Sequence, residues 1–206
     1  MSIVFHEQTK TFHLFNDRIS YIMNVLPTGH LMQLYCGKKV HDRNDFSYLI
    51  ETSARPTTTY LSEEWHNKYT FTHLKQEYPV YGTTDFRHPA IEIKQNNGSN
   101  ISNFCYKSHS ISSGKPKLAG LPATYTENDN EAQTLTIVLE DELTHVQVEL
   151  LYTLFAQGGI IARSAKITNN GAETVHLTTA MSLCLDLPDC DYEWLQFSGS
   201  WARERH

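Results

Sequence analysis

Hydrophobic and polar residues alternate with a period of two along much of the chain. One segment shows this clearly, with apolar residues at Val146, Val148, Leu150, Tyr152 and Leu154. Successive side chains of a β-strand point to opposite faces, so this period predicts strands with one packed face. The segment from Val175 to Leu185 alternates in the same way and is predicted as a further strand.

Turn signals between these extended segments predict a series of hairpins. Polar turns separate five pairs of extended segments, at 3–5 with 11–15, 19–26 with 30–35, 90–94 with 101–111, 134–140 with 144–155, and 160–168 with 174–187. The third and fifth turns contain Asn-Gly, a pair that tolerates the positive φ of tight hairpin turns. No segment combines a helical period with helix caps. The sequence therefore predicts an all-β fold, a large antiparallel β-sandwich with few or no helices.

Two stretches interrupt the strand pattern. Residues 41–76 are polar, and residues 114–130 are rich in glycine and proline. Both are predicted to be long ordered loops at the rim of the sandwich, where loops commonly carry function. Between these two stretches, Asp85 and Arg87 are spaced as on a strand and are expected to pair with neighbouring side chains.

Composition and charge exclude some classes of function. The 206 residues carry a formal net charge of −6 with scattered lysines and arginines, so no basic stripe for nucleic acid is predicted. No secretion signal is predicted from the first residues given, and no apolar run reaches the length of a membrane span. The four cysteines form no Cys-x-x-Cys pair and are expected to be reduced and mostly buried, in a cytoplasmic protein. The 11 histidines follow no ligand motif, so neither a metal nor a cofactor is expected.

The end of the sequence, FSGSWARERH, carries the most distinctive candidate. Ser198, Gly199 and Ser200 permit a sharp turn that presents Trp201, with Arg203 and Arg205 after it. A flat indole can lie against the apolar C–H face of a sugar, although a tryptophan that fills the core is the alternative. The acidic run from Asp186 to Asp191 precedes this turn and is more typical of a solvated loop than of catalytic carboxylates.

Three stretches of the chain resemble a known family. QEYPVYGTTDFRHPA (76–90), GKPKLAGLPATY (114–125) and DYEWLQFSGSWARER (191–205) are similar to the N-terminal domain of bacterial α-galactosidases, or melibiases, of glycoside hydrolase family 36. The opening FHEQTKTFHLFNDRISYIM is also similar. The resemblance implies a galactose-mutarotase-like β-supersandwich over residues 1–206, preceding a (β/α)₈ catalytic barrel that this chain does not contain.

The family resemblance also implies a function and a site. It implies retaining hydrolysis of terminal α-galactosides such as melibiose and raffinose, in a homotetramer, with both catalytic aspartates on the absent barrel. No catalytic residue is therefore expected among residues 1–206. The tryptophan of the family's G-[SA]-W-x-R-E-R motif contacts substrate and matches Trp201. A second contact, an aspartate of an early loop, corresponds by spacing to Glu51, with Thr52 and Arg55 as alternatives.

Three other functions are compatible with the sequence. A stand-alone carbohydrate-binding module needs a complete sugar site within one chain. An enzyme like the aldose epimerases needs a histidine and a glutamate in one cleft, and no such pair stands out. A purely structural role in forming a tetramer is the third.

Overall fold

β-Strands dominate the part of the chain that the structure describes. A computed structural model describes residues 1–52, 64–65, 68–83, 85–120 and 123–204. In these ranges the strands are β1 (Ser2–His6), β2 (Thr11–Phe15), β3 (Ile19–Val25), β4 (Leu31–Lys38), β5 (Ile91–Lys94), β6 (Phe104–Ser113), β7 (Ala132–Asp141), β8 (Val146–Phe155), β9 (Ile161–Asn169) and β10 (His176–Ala180). Short 3₁₀ turns are at Ser47–Leu49 and Asp129–Glu131. The same ranges hold no helix that could cross a membrane.

The strands form two four-stranded sheets and a two-stranded ribbon. The first sheet has the order β1-β2-β3-β4, the second has β6-β7-β8-β9, and the ribbon pairs β10 with β5. Every strand pair is antiparallel. Each four-stranded sheet is a meander in which strands adjacent in sequence are adjacent in space. These sheets confirm the predicted all-β, antiparallel fold.

One core lies between the sheets. Phe12 and Leu14 from β2 pack in the same buried cluster as Ile137 from β7 and Leu150 from β8, and all four are fully buried. β7 and β8 contribute to this core because hydrophobic residues alternate with polar ones along them, so that every second side chain enters the cluster. Full burial of each such side chain stabilises the fold by roughly 1.5–3 kcal/mol.

A buried charged network joins the two sheets. The Glu77 carboxylate accepts hydrogen bonds from Tyr21 Oη of the first sheet (2.7 Å) and from Tyr152 Oη of the second (2.9 Å). It also pairs with Arg163 Nη1 at 2.6 Å, and the Arg163 guanidinium lies 4.0 Å from the centre of the Tyr152 ring. Burial alone lowers the pKa of Arg163, but Tyr152 and Glu77 raise it above its ordinary value, so the guanidinium stays charged.

The first sheet is buried on both faces. A second cluster of Leu26, Met32, Tyr69, Phe71 and Leu74 lies on the face away from the main core. Residues 39–52 and 68–77 supply this cover, as Val40 N–H donates to Ser20 Oγ (3.0 Å) and Phe71 and Leu74 are buried in the cluster. At the edge of the same sheet, Gln33 N–H donates to Lys75 O (2.9 Å) and Glu77 N–H donates to Leu31 O (3.0 Å). Described residues of the stretch 41–76 thus lack strands, as predicted. They cover a sheet face, however, rather than standing at the rim.

Two of the predicted hairpins are wrong. Segments 90–94 and 101–111 were expected to pair, and so were 160–168 and 174–187. Instead β5 pairs with β10, β6 pairs with β7, and β9 pairs with β8. The turns themselves form, since Gln95 N–H donates to Ser99 O at 2.9 Å in the first and Gly171 N–H donates to Asn169 Oδ1 at 2.9 Å in the second. Each of these turns leads from one sheet to another, because β5 and β10 form the ribbon while β6 and β9 belong to the second sheet. The Asn96 side-chain amide donates to Glu173 at 2.6 Å and so ties the two connections together.

Three local predictions also need correction. The strand expected over 175–185 ends at Ala180, and its apolar side chains Leu177, Met181 and Leu183 are exposed. Asp85 and Arg87 do not lie on a strand. The cysteines are free, but Cys190 is exposed and the other three are only partly buried.

Candidate functional site

Trp201 stands at the tip of a tight turn. Ser200 and Arg203 exchange two backbone hydrogen bonds, from Ser200 N–H to Arg203 O (3.0 Å) and from Arg203 N–H to Ser200 O (2.9 Å). Ala202 takes the left-handed backbone conformation, with φ of 59°. The Trp201 side chain is 97% exposed, so it does not fill the core of the described chain. Its ring is free to lie flat against a partner.

Trp201 belongs to a longer exposed segment, residues 187–204, here called the apolar tail. Several large apolar side chains of this tail face solvent, namely Leu187, Tyr192, Trp194, Leu195, Phe197 and Trp201. Scattered apolar residues are ordinary on a protein surface, but a run of rings along one segment marks an interaction site. Arg203 is exposed beside Trp201, and Arg205 lies outside the described residues.

The chain that leads into the apolar tail is fixed to the body of the protein. The Gln33 side chain exchanges two hydrogen bonds with the Asp186 backbone, at 2.9 and 3.0 Å. Tyr78 Oη donates to Met181 O at 2.6 Å, and Cys184 and Leu185 pack against the core. The tail therefore leaves the sandwich from a defined point.

Asp85 and Arg87 pair with each other, which was not predicted, and hold loop backbone beside this point. Arg87 donates to both Asp85 oxygens (2.9 and 2.8 Å) and to the Leu74 carbonyl (2.9 Å). Gln76 Nε2 also donates to Asp85 at 3.0 Å. Burial by itself raises the pKa of Asp85, but hydrogen bonds from Arg87 and Gln76 outweigh burial and lower it below its ordinary value. The Asp85 carboxylate therefore stays charged, and both of its oxygens accept hydrogen bonds from within the chain. We conclude that it stabilises the fold.

Glu51 lies in the loop that covers the first sheet. It follows the 3₁₀ turn Ser47–Leu49, and its carboxylate is 66% exposed, with Oε1 4.0 Å from His73 Nδ1. Such an exposed carboxylate can accept hydrogen bonds from the hydroxyl groups of a sugar. Thr52 is exposed next to it, and Arg55, the other alternative, lies outside the described residues.

A set of hydrogen bonds that the sequence analysis missed holds this loop. Asp42 Oδ1 lies 2.9 Å from His6 Nε2 and 2.7 Å from His13 Nδ1. The other ring nitrogen of His13 lies 3.0 Å from Ser20 Oγ. Desolvation lowers the pKa of His13 despite the neighbouring Asp42 carboxylate, so the ring is neutral near pH 7. The sequence places His6 and His13 on either side of a turn, but nothing in it indicates Asp42.

Glu51 and Trp201 are not in contact with each other. Among the described residues, no hydrogen bond or ion pair joins Glu51 to the apolar tail. In those same ranges, no cluster of three or more His, Cys, Asp or Glu side chains is arranged to hold a metal ion. The two predicted sugar contacts are exposed groups on separate segments, and each offers a surface to another polypeptide or to a ligand.

The fold and these exposed segments define an all-β domain with unpartnered contact surfaces, and comparison with known proteins places it in a family. Residues 29–206 match the family model described as the glycosyl hydrolase family 36 N-terminal domain. Over 213 aligned residues the chain is 40% identical to α-galactosidase AgaA of Geobacillus stearothermophilus, covering 100% of this chain and 28% of that protein.

Solved structures agree with this assignment. The α-galactosidase of Lactobacillus brevis superimposes with a TM-score of 0.91 at 39% identity, over 99% of this chain and 27% of that one. A variant of AgaA in complex with raffinose superimposes with a TM-score of 0.86 at 40% identity, over 95% of this chain and 27% of that one. The chain belongs to glycosyl hydrolase family 36, as an N-terminal domain. It spans 28% of the length of the curated relative AgaA.

Proposed function

We propose that this chain is the N-terminal supersandwich domain of a retaining α-galactosidase that hydrolyses terminal α-galactosides such as melibiose and raffinose. The family assignment supports this proposal, as does a relative that binds raffinose. Because the chain matches little more than a quarter of the relatives, the catalytic carboxylates belong to a (β/α)₈ barrel outside residues 1–206. Residues 1–206 then serve assembly and substrate binding.

The observation that carries this role is the exposure of Trp201. An indole that is 97% exposed at the tip of a defined turn offers a rigid apolar plate, which suits the C–H face of galactose. The other rings of the apolar tail supply area for contact with the catalytic region or with a neighbouring subunit. Glu51 is proposed as a second, polar sugar contact. A homotetramer allows one subunit's loop to complete another subunit's pocket.

The test is the substitution Trp201→Ala in the α-galactosidase that carries this chain. Loss of a stacking ring is expected to lower kcat/KM for melibiose by roughly 5- to 150-fold, corresponding to about 1–3 kcal/mol. Trp201→Phe keeps an apolar ring and is expected to retain part of the activity. Steady-state kinetics with melibiose and with a nitrophenyl galactoside measure the effect.

Trp194 provides the matched control, because it is a second exposed tryptophan of the same tail. Trp194→Ala is expected to change kcat/KM much less than Trp201→Ala. Equal effects, or unchanged kinetics for Trp201→Ala, contradict the sugar contact. Tight galactose binding by the 206-residue chain alone, measured by calorimetry, favours the stand-alone module instead.

We also propose a cytoplasmic location for the protein. Four free cysteines, one of them exposed, suit a reducing compartment, where thiols persist unpaired.

A further inference from the structure

Four side chains form a continuous hydrogen-bonded row under the loop that carries Glu51. Ser20 Oγ lies 3.0 Å from His13 Nε2, His13 Nδ1 lies 2.7 Å from Asp42 Oδ1, and the same oxygen lies 2.9 Å from His6 Nε2. At the other end of the row, Val40 N–H donates to Ser20 Oγ at 3.0 Å. The row links β1, β2 and β3 to the segment 40–46.

The chemistry of the groups fixes the direction of these bonds. A carboxylate only accepts, so His13 carries its proton on Nδ1 and donates it to Asp42. The neutral ring then accepts at Nε2 from the Ser20 hydroxyl, whose oxygen retains lone pairs for Val40 N–H. Each polar atom of the buried pair His13 and Ser20 is thus used, which is the condition for burying polar groups without loss of stability.

The order serine, histidine, aspartate is that of a hydrolytic triad, but the burial is incompatible with catalysis. Ser20 and His13 are both 0% exposed, and the Val40 amide occupies the serine oxygen. A reactant has no route to Oγ, and the hydroxyl already donates to His13. The row therefore holds structure in place.

Contacts recur at every second residue of the segment. Val40 and Asp42 join the row, the Asn44 carbonyl accepts from Thr9 Oγ1 at 3.0 Å, and the Phe46 ring meets the His13 ring at 5.2 Å in an edge contact. The segment is thus held against the outer face of the first sheet. Glu51 follows Phe46 by five positions, after the 3₁₀ turn Ser47–Leu49.

We propose that Asp42, His13 and Ser20 are positioning residues that anchor the segment 40–46 and thereby set where Glu51 is presented to the galactoside. The consequence for substrate rests on the proposed function, whereas the anchoring itself does not. Neither Asp42 nor the buried pair touches substrate. Their effect passes through the backbone between Val40 and Glu51.

Amide hydrogen exchange at Val40 tests the anchoring. Ser20→Ala removes the acceptor of the Val40 N–H, and its exchange is expected to accelerate about tenfold, as for the loss of one net hydrogen bond. Asp42→Asn weakens the charge-assisted bond to His13 and is expected to accelerate the same amide about fivefold. Asp45→Asn is the matched control, because Asp45 lies in the same loop and, within the part of the chain that the structure describes, its hydrogen bonds go to Ser47 and not to the row.

Unchanged Val40 exchange in both Ser20→Ala and Asp42→Asn overturns the proposal. Ser20→Ala changes a buried residue and could affect folding. Asp42→Asn avoids this problem, because the Asp42 side chain is partly exposed and asparagine has the same shape as aspartate. An Asp45→Asn variant that accelerates Val40 as much as Asp42→Asn also overturns it, since the effect is then a general one of loop charge.

Kinetics of the α-galactosidase that carries the chain test the positioning role. If the anchor presents Glu51, Asp42→Asn raises KM for raffinose about as much as Glu51→Gln does and leaves kcat within about twofold. Asp45→Asn leaves both constants unchanged. An unchanged KM in Asp42→Asn, where Glu51→Gln raises it, overturns positioning. An unchanged KM in Glu51→Gln refutes the sugar contact of the proposed function, and with it the substrate part of this inference, while the Val40 result stands.

Discussion

At the scale of single residues, the presentation of Trp201 depends on its neighbour. Two backbone hydrogen bonds between Ser200 and Arg203 close the turn, and Ala202 must hold φ near 59° to allow it. An L-residue with a Cβ is strained in this left-handed region by about 1 kcal/mol, and glycine is not. The strain at Ala202 is compatible with a turn that presents the Trp201 side chain for binding.

We expect Ala202→Gly to stabilise the turn. Relief of about 1 kcal/mol favours the closed form roughly fivefold, so the Arg203 amide, which donates to Ser200 O, should exchange about five times more slowly. Ala202→Val is the opposite control, because a β-branched residue tolerates positive φ poorly and should accelerate exchange. Equal exchange rates in the three proteins would show that the turn is not limited by this backbone angle.

The sequence indicated Trp201 for a physical reason that the structure supports. Small residues before a tryptophan permit a tight turn, and Ser200 is in fact the first residue of one. Asp42 carried no such signal, because its importance comes from His6 and His13, which are far from it in sequence. A local pattern in the sequence cannot indicate contacts between residues that lie far apart along the chain.

At the scale of elements, strands were predictable and some of their partners were not. The alternation along β7 and β8 and the polar turn between them predicted both strands and their pairing correctly. The Asn-Gly turns after β5 and β9 predicted turns correctly and partners wrongly. A turn residue fixes local φ, whereas the partner of a strand is decided by which sheet buries its apolar face.

The anchored segment 40–46 should make stability depend on pH through His13. Desolvation lowers its pKa in the folded protein below the ~6.5 of an unfolded chain, although Asp42 opposes this and His6 adds to it. The unfolded state therefore binds the proton more readily, so the contribution of His13 is complete above pH ~6.5 and diminishes as the pH falls through the folded pKa. Urea unfolding between pH 5 and 7.5 is expected to show a shallower loss of stability in His13→Gln than in the original chain. Parallel pH profiles would contradict this assignment.

At the scale of the whole molecule, the Glu77 network is the one charged connection in the described chain that reaches both four-stranded sheets at once. Glu77 and Arg163 are buried together, and Nε and Nη2 of Arg163 have no hydrogen-bond partner among the described residues. The guanidinium lies against the Tyr152 ring, a favourable site for a cation. Its charge is nevertheless balanced mainly by one carboxylate.

We expect Glu77→Gln to destabilise the chain by about 3–5 kcal/mol, because it leaves a buried guanidinium without a counter-charge. Glu149→Gln is the matched control, since Glu149 pairs with Lys166 at 2.7 Å on the surface and should cost less than ~1 kcal/mol. The double variant Glu77→Gln with Arg163→Met should recover part of the loss. Urea unfolding measures all three, and a small effect of Glu77→Gln would contradict a central role for the network.

The global architecture could be predicted from the sequence, whereas the Glu77 network could not. Period-two alternation and frequent turns are sufficient for an antiparallel sandwich, because each strand must bury one face. Glu77 stands in a stretch marked by Tyr78, Pro79 and Tyr81, and nothing local distinguishes it from a solvated glutamate. Its burial emerges only when Tyr21, Tyr152 and Arg163 converge on it from distant strands.

The apolar tail has a consequence for the life of the protein in the cell. Rings and aliphatic groups left uncovered along residues 187–204 are the feature that chaperones and proteases recognise in an unfinished protein. Chaperones and proteases would continue to bind a newly made copy until a partner surface covers the tail. How quickly it finds one would then govern how much of it accumulates.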